Sequence, residues 1–202
     1  MKRILSTGTL VILGLAATAS ASTWTFDPMH TRAEFTVRHM GLTNVRGDFA
    51  KLTGTIAMDD KDITQSTVEA TIDVASIDTR VAYRDDDLKG ENYFDVAKFP
   101  SITFKSKKVE KSGETGLKVT GDLTMHGVTK EVVLDVEELT AEMTDKRGTA
   151  KRGATATTKL LRSDYGMKAG IPMIGDEIKI SLDMELVKKE APAAAPAAAP
   201  AK

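Results

Sequence analysis

Ile178-Lys179-Ile180-Ser181-Leu182-Asp183-Met184-Glu185-Leu186 alternates apolar and polar side chains without a break. A strand turns successive side chains to opposite faces, so this stretch has one greasy face and one wetted face. The polar set of Lys179, Ser181, Asp183 and Glu185 suits water, not lipid. The same period of two runs through residues 68–74 and 33–39, and recurs over 52–58, 102–107, 117–125 and 132–136. One buried and one solvated face favours antiparallel pairing. Turn chemistry separates the runs. Asp27-Pro28 ends a first strand after Phe26, and Asp59-Asp60-Lys61-Asp62 and Ser112-Gly113-Glu114-Thr115-Gly116 read as hairpin loops. Gly127 marks a tight connection between Met125 and Val132. About eight strands with short links predict an all-β meander closed into a barrel, which removes exposed edges. A two-sheet sandwich is the alternative. The connection from Ser76 to Phe99 departs from this period. Thr79 is a plausible N-cap and Gly90 a helix stop, so a short helix is expected, then an irregular loop through Asn92, Tyr93, Phe94 and Asp95. A connection this long serves either as a lid over one barrel end or as a plug.

Lys2 and Arg3 are followed by an apolar run from Ile4 to Ala17 and by Ala19-Ser20-Ala21, small residues at a cleavage site. These features predict a cleaved secretory signal over 1–21. Residues 191–202 repeat Ala and Pro and predict a disordered tail that cannot pack. One domain over 22–190 remains, long enough for a sizeable core. Cysteine is absent, so an exported chain must draw its stability from that core, and thiolate metal sites are excluded. Of 28 basic side chains, Lys2 and Arg3 fall in the signal, leaving 26 against 29 acidic ones. That balance gives no electrostatic footprint for nucleic acid. No other apolar stretch approaches the roughly 20 residues of a spanning helix, so no transmembrane segment is expected in the mature chain.

Motifs for phosphate cradling, zinc proteolysis, serine hydrolysis and dinucleotide binding are missing. His30, His39 and His126 stand far apart, without a second ligand at helical spacing. No metal, cofactor or catalytic group is therefore expected. His39 continues the face of Phe35 and Val37 and should point inward, either as a hydrogen-bonded core histidine or as a donor to a ligand head group. His126, beside Gly127, reads as a turn residue or a second polar contact.

Several segments converge on one family: Asp27-Pro28-Met29-His30, Phe35-Thr36-Val37-Arg38-His39-Met40, Gly47-Asp48-Phe49 and Ile77-Asp78-Thr79. Tyr83-Arg84-Asp85-Asp86-Asp87-Leu88, Tyr93-Phe94-Asp95 and Phe99-Pro100-Ser101-Ile102-Thr103-Phe104 follow. The run from Gly121-Asp122-Leu123-Thr124-Met125-His126 to Lys130, and Arg162-Ser163-Asp164-Tyr165-Gly166-Met167, complete the series. In this order and spacing they resemble the YceI-like proteins, from about Trp24 to Val187. The resemblance implies an extended eight-stranded, lipocalin-like antiparallel barrel in the periplasm, binding a polyisoprenoid or other long-chain lipid, and a homodimer in some relatives. Many relatives carry His where this chain has Asp87. If that position meets a head group, Asp87 implies a neutral or hydroxylated head here.

An eight-stranded barrel either fills with side chains or holds one small ligand. The inward set is mostly medium-sized, and only ten residues are aromatic, so a hollow is expected. Its lining is expected from Phe35, Val37, His39, Ile56, Ile72, Phe104, Leu123, Met125, Leu134, Ile180 and Leu182. Met29 and Met40 are further candidates for an adaptable wall. His126, Arg80, Arg84 and Arg162 are candidates for the polar head group, each arginine alternatively pairing with a nearby Asp. A carrier or store of lipid is the leading reading. An enzyme acting on a barrel-bound lipid and a solid-cored interaction module are the alternatives.

Overall fold

The computed structural model describes residues 21–189, so the expected signal up to residue 20 and the Ala/Pro tail lie outside the described residues. In chain order the strands are β1 (Ala21–Phe26), β2 (Arg32–His39), β3 (Thr43–Phe49), β4 (Leu52–Asp59), β5 (Thr67–Asp73) and β6 (Ile77–Asp78). The helix α1 (Ala82–Lys89) precedes β7 (Ser101–Ser112), β8 (Gly116–Met125), β9 (Val128–Leu139), β10 (Met143–Thr144), β11 (Ala150–Leu161) and β12 (Ile174–Lys188). Eight strands close an antiparallel barrel in the order β1-β4-β5-β7-β8-β9-β11-β12, with β12 returning to β1.

β1 covers only the last residues of β12, pairing Trp24 with Lys188 and Phe26 with Leu186. β2 takes over the rest, from Asp183↔Arg32 to Ile174↔His39. The two behave as one strand broken at Asp27, whose carboxylate accepts the Met29 N–H at 2.8 Å, while Pro28 offers the ladder no donor. β3 and β6 extend this side. The β8–β9 turn is tighter than the sequence predicts. β9 begins at Val128, and His126 and Gly127, at φ 51° and 72°, form a two-residue hairpin loop.

The helix starts later than Thr79 suggested. Val81 stands at its N-cap without a side-chain bond. Thr79 instead anchors the preceding turn: its N–H and Oγ1 donate to the Asp85 carboxylate at 2.8 and 2.5 Å, and Arg84 donates to its Oγ1 and carbonyl.

Each end of the barrel has its own packed cluster. Trp24, 1% exposed, packs with Phe26, Met58 and Leu186 at one end. Arg152 and Lys188 lie 5.6 and 5.4 Å from its ring, and its Nε1 donates to Ser22. At the other end Phe49, Val74, Ile77, Ile102, Met125, Tyr165 and Met167 form a cluster on which Leu88 and Phe94 close down. The connection between β5 and β7 therefore covers that end.

Candidate functional site: an apolar cavity inside the barrel

Between the two clusters lies a cavity of about 250 Å³. Glu34, Ser66, Tyr93, Thr158 and Arg162 are the polar residues of its lining but show it almost no polar surface, and the rest of the lining is aliphatic, aromatic or Met. The β9 residues Val132, Leu134 and Val136 face inward yet stay only half-buried, because they front open space instead of one another.

Of the residues expected at the lining, Phe35, Val37, Ile56, Ile72, Phe104, Leu123, Met125, Leu134, Ile180 and Leu182 are all on the cavity wall. His39 is not: it is exposed at the end of β2. Val37 pairs with Ile178 and His39 with Ile174, so three residues of β12 oppose the single Arg38. That irregularity breaks the alternation that placed His39 inward. Met29 sits in the Asp27 turn at 84% exposure, and Met40 is exposed at the β2–β3 tip, so neither lines the wall. Asp87 is exposed on α1 and does not line the cavity, which removes the basis for reading head-group preference from it.

Of the three candidate arginines, Arg162 alone reaches the cavity. Arg80 is exposed at φ 63°, and Arg84 is spent on Thr79. His126 holds the β8–β9 turn in place: its Nδ1 lies 2.8 Å from the Tyr165 carbonyl and its ring packs edge-on against Phe99. Arg162 itself is 5% exposed. Its Nε, Nη1 and Nη2 donate to the carbonyls of Gly175, Met167 and Ile174 at 3.0, 2.9 and 3.0 Å. These bonds occupy three of the five N–H groups of a guanidinium. Burial pushes the Arg162 pKa down, against the pull of Tyr93 and Asp176. It stays cationic all the same. A positive charge thus sits at the α1 end of an apolar hollow, bonded to carbonyl dipoles. Asp176 secures the turn that carries it, accepting the Ser163 N–H at 2.9 Å and Oγ at 2.6 Å.

The barrel wall is incomplete on one side. β9 and β11 pair only from Ala154↔Leu139 to Thr157↔Asp135, although both continue toward the α1 end. Beyond that point Val132, Thr158, Leu160 and Ile180 line both the interior cavity and an outer cleft. The Lys130–Asp164 ion pair at 3.0 Å and the His126–Tyr165 bond span this seam. The Tyr165 phenol is buried there without a hydrogen-bond partner among the described residues, and burial pushes its pKa up to about 12.

Sequence spacing also concealed a second polar cluster. Asp27, His30 and Glu185 bring ligand-type atoms within 4.8 Å of one another. The Lys151 ammonium lies 2.6 Å from Glu185 and 3.9 Å from both Asp27 and Asp145, and supplies the countercharge.

The YceI-like domain matches residues 24–186 of this chain. A UPF0312 protein of Vibrio parahaemolyticus is 33% identical over 192 residues, covering 93% of this chain and 99% of its own. The Campylobacter jejuni YCEI protein, a crystal structure, is 32% identical with a TM-score of 0.67, over 76% of this chain and 90% of that one. A polyisoprenoid binding domain from Saccharophagus degradans shares the fold at 16% identity, with a TM-score of 0.63 over 82% of this chain and 98% of that one.

Proposed function

This chain belongs to the YceI-like family, and from that premise we propose that it holds one long-chain lipid, of polyisoprenoid type, inside the barrel as an exported, periplasmic carrier or store. The observation that carries the reading is the hollow itself. A cavity of about 250 Å³, at roughly 30 Å³ per water-sized group, seats about eight methylene-sized groups. Burying a methylene contributes about 0.8 kcal/mol, so a filled cavity gives about 6 kcal/mol. The cost of association is about 4–15 kcal/mol. Burial of the tail therefore offsets much of that cost, and a contact at the head group supplies the rest. Arg162, with N–H groups to spare and Tyr93 beside it, is the head-group contact at the α1 end.

Binding without catalysis fits the same walls. Acid-base chemistry needs a titratable group within reach of the reacting atoms; His39, the residue weighed for that role, lies outside the cavity, and Glu34 and Tyr93 are the carboxyl and phenol of the lining. Organic extraction and mass spectrometry of protein isolated from its native host tests the reading. A reproducible long-chain species near one-to-one occupancy is expected. Folded protein that carries none, and takes up none from added polyprenol, overturns it.

A further inference from the structure

Four large apolar side chains are exposed together at the α1 end of the barrel. Met40 and Leu42 crown the β2–β3 turn at 48% and 72% exposure, and Ile171 and Met173 belong to the loop before β12 at 39% and 53%. The Met40 N–H donates to the Met173 carbonyl at 2.6 Å, and His39 pairs with Ile174, so the two loops form one surface. Scattered exposed apolar residues are ordinary, but a contiguous patch marks an interaction site.

The charge on these loops is one-sided. Residues 38–46 and 168–175 carry Arg38, Arg46 and Lys168 and no carboxylate. At the chain's average of 29 acidic residues in 202, seventeen residues would hold about two or three. Arg38 donates to the Gly41 carbonyl and to Asn44, neutral partners. Asp176, the carboxylate that acts on Lys168, is itself bound by Ser163. Apolar side chains rimmed by cations match the boundary between acyl chains and phosphates in an anionic bilayer. The patch is also the rim of the cavity. Met173 is exposed on it, while the adjoining Ile174 lines the interior and gives its carbonyl to Arg162.

We propose that this rim docks on the surface of an anionic lipid bilayer, with Met40, Leu42, Ile171 and Met173 entering the acyl boundary and Arg38, Arg46 and Lys168 meeting the phosphates. The purpose of docking, to load and unload the barrel, rests on the lipid-binding reading. The docking itself stands on the patch alone.

The test is co-sedimentation of the full chain with vesicles of phosphatidylcholine containing about one-third phosphatidylglycerol, against phosphatidylcholine alone. Binding to the anionic vesicles, weak binding to the neutral ones and loss in high salt are expected. Arg46→Gln with Lys168→Gln should lower partitioning about 25-fold, at roughly five-fold for each surface cation. Leu42→Ser with Met173→Ser should lower it at least about ten-fold. Val133→Ser with Met143→Ser, two exposed apolar residues away from the rim, should leave it unchanged. Failure of the wild type to sediment with anionic vesicles, or equal loss in the rim and control pairs, overturns the proposal. So does a wild-type dimer that ignores vesicles and dissociates on Leu42→Ser with Met173→Ser, since the patch then joins two copies. Lipid extraction of the same samples separates the two readings. A barrel that docks but is empty defeats the lipid reading, and a loaded barrel that does not dock defeats this one.

Discussion

Replacing Leu182 by Trp should shorten the cavity without collapsing the barrel. The inward residues of β12 from Ile174 to Leu186 all border the hollow. Twelve residue steps at about 3.3 Å give about 40 Å along the strand, or about 30 Å along a barrel axis inclined about 40° to it. Leu182 stands four steps from the Trp24 end, so an indole there closes off about a third of that length. Its ladder partners are Ala33 and Ala156, both small, which leaves lateral room for the larger ring. A third of about eight methylenes at about 0.8 kcal/mol each is about 2 kcal/mol, roughly thirty-fold in Kd for a chain long enough to reach that end. A short-chain probe seated near Arg162 should bind almost as before. The folding cost should stay within about 1–3 kcal/mol, the usual range for an added ring, and fall at its low end because the ring enters open space. Titration of matched long and short polyprenol probes, with Asp183→Trp on the outer face as control, reads the difference. Long-probe affinity unchanged in folded Leu182→Trp would mean that the ligand does not lie along the axis.

Four further outcomes follow from particular side chains. Tyr165→Phe removes a buried hydroxyl that has no partner among the described residues, so urea denaturation should show a gain of about 1 kcal/mol, and a loss would reveal a bond to the phenol. The same phenol, held protonated up to about pH 12 when folded and only to about 10 when unfolded, should cost stability as pH rises through that interval in the wild type but not in Tyr165→Phe. Asp176 is kept below the usual carboxylate range chiefly by Ser163. Its stabilisation is therefore present above about pH 4 and lost as pH falls through the depressed value, and Asp176→Asn should flatten that acid limb in urea midpoints taken against pH. Along the seam, amides of β9 from Val128 to Leu134 and of β11 beyond Thr157 that point at each other have no ladder partner. They should exchange with deuterium faster than those of β7 and β8, and equal protection would show the seam closed in solution.

The hollow was legible because alternation is a local property. Once β12 is recognised as a strand, Ile180 and Leu182 must share a face, and closure sends that face inward. Legibility ended where the ladder becomes irregular. His39 follows Val37 at the correct parity, but the β12 residues between Ile174 and Ile178 crowd against Arg38, and the strand leaves the barrel before His39 can turn in. Arg162 was one of several equivalent arginines in the sequence, because its partners are backbone carbonyls. The oxygens of Met167, Ile174 and Gly175 carry no side-chain signature, and only the loop between β11 and β12 brings them together. The Asp27–His30–Glu185 cluster was hidden for a similar reason, since β1 and the end of β12 meet only when the barrel closes.

A hollow interior constrains where stability comes from. Side chains that front open space forgo the contacts a filled core would give them, so the walls cannot hold this fold by packing across the middle. What remains is the closed ladder, the Phe104–Val109–Val119 cluster along β7 and β8, and the two ends. Trp24 with Arg152 and Lys188 secures one end, and the Phe49–Tyr165–Met167 cluster under Leu88 and Phe94 secures the other. The second end is where the wall is also weakest, because β9 and β11 separate there and Arg162 places an ionised group beside the hollow. A buried cation bonded only to carbonyls costs desolvation that a packed apolar residue would not. Arg162 here also joins the loop ahead of β12 to the turn after β11 through its three bonds. The side chain proposed to face a bound head group is thus the same one that ties the rim together. On that proposal, arrival of an anionic head should be felt as order in the loop carrying Ile171 and Met173, the part proposed to dock on the bilayer.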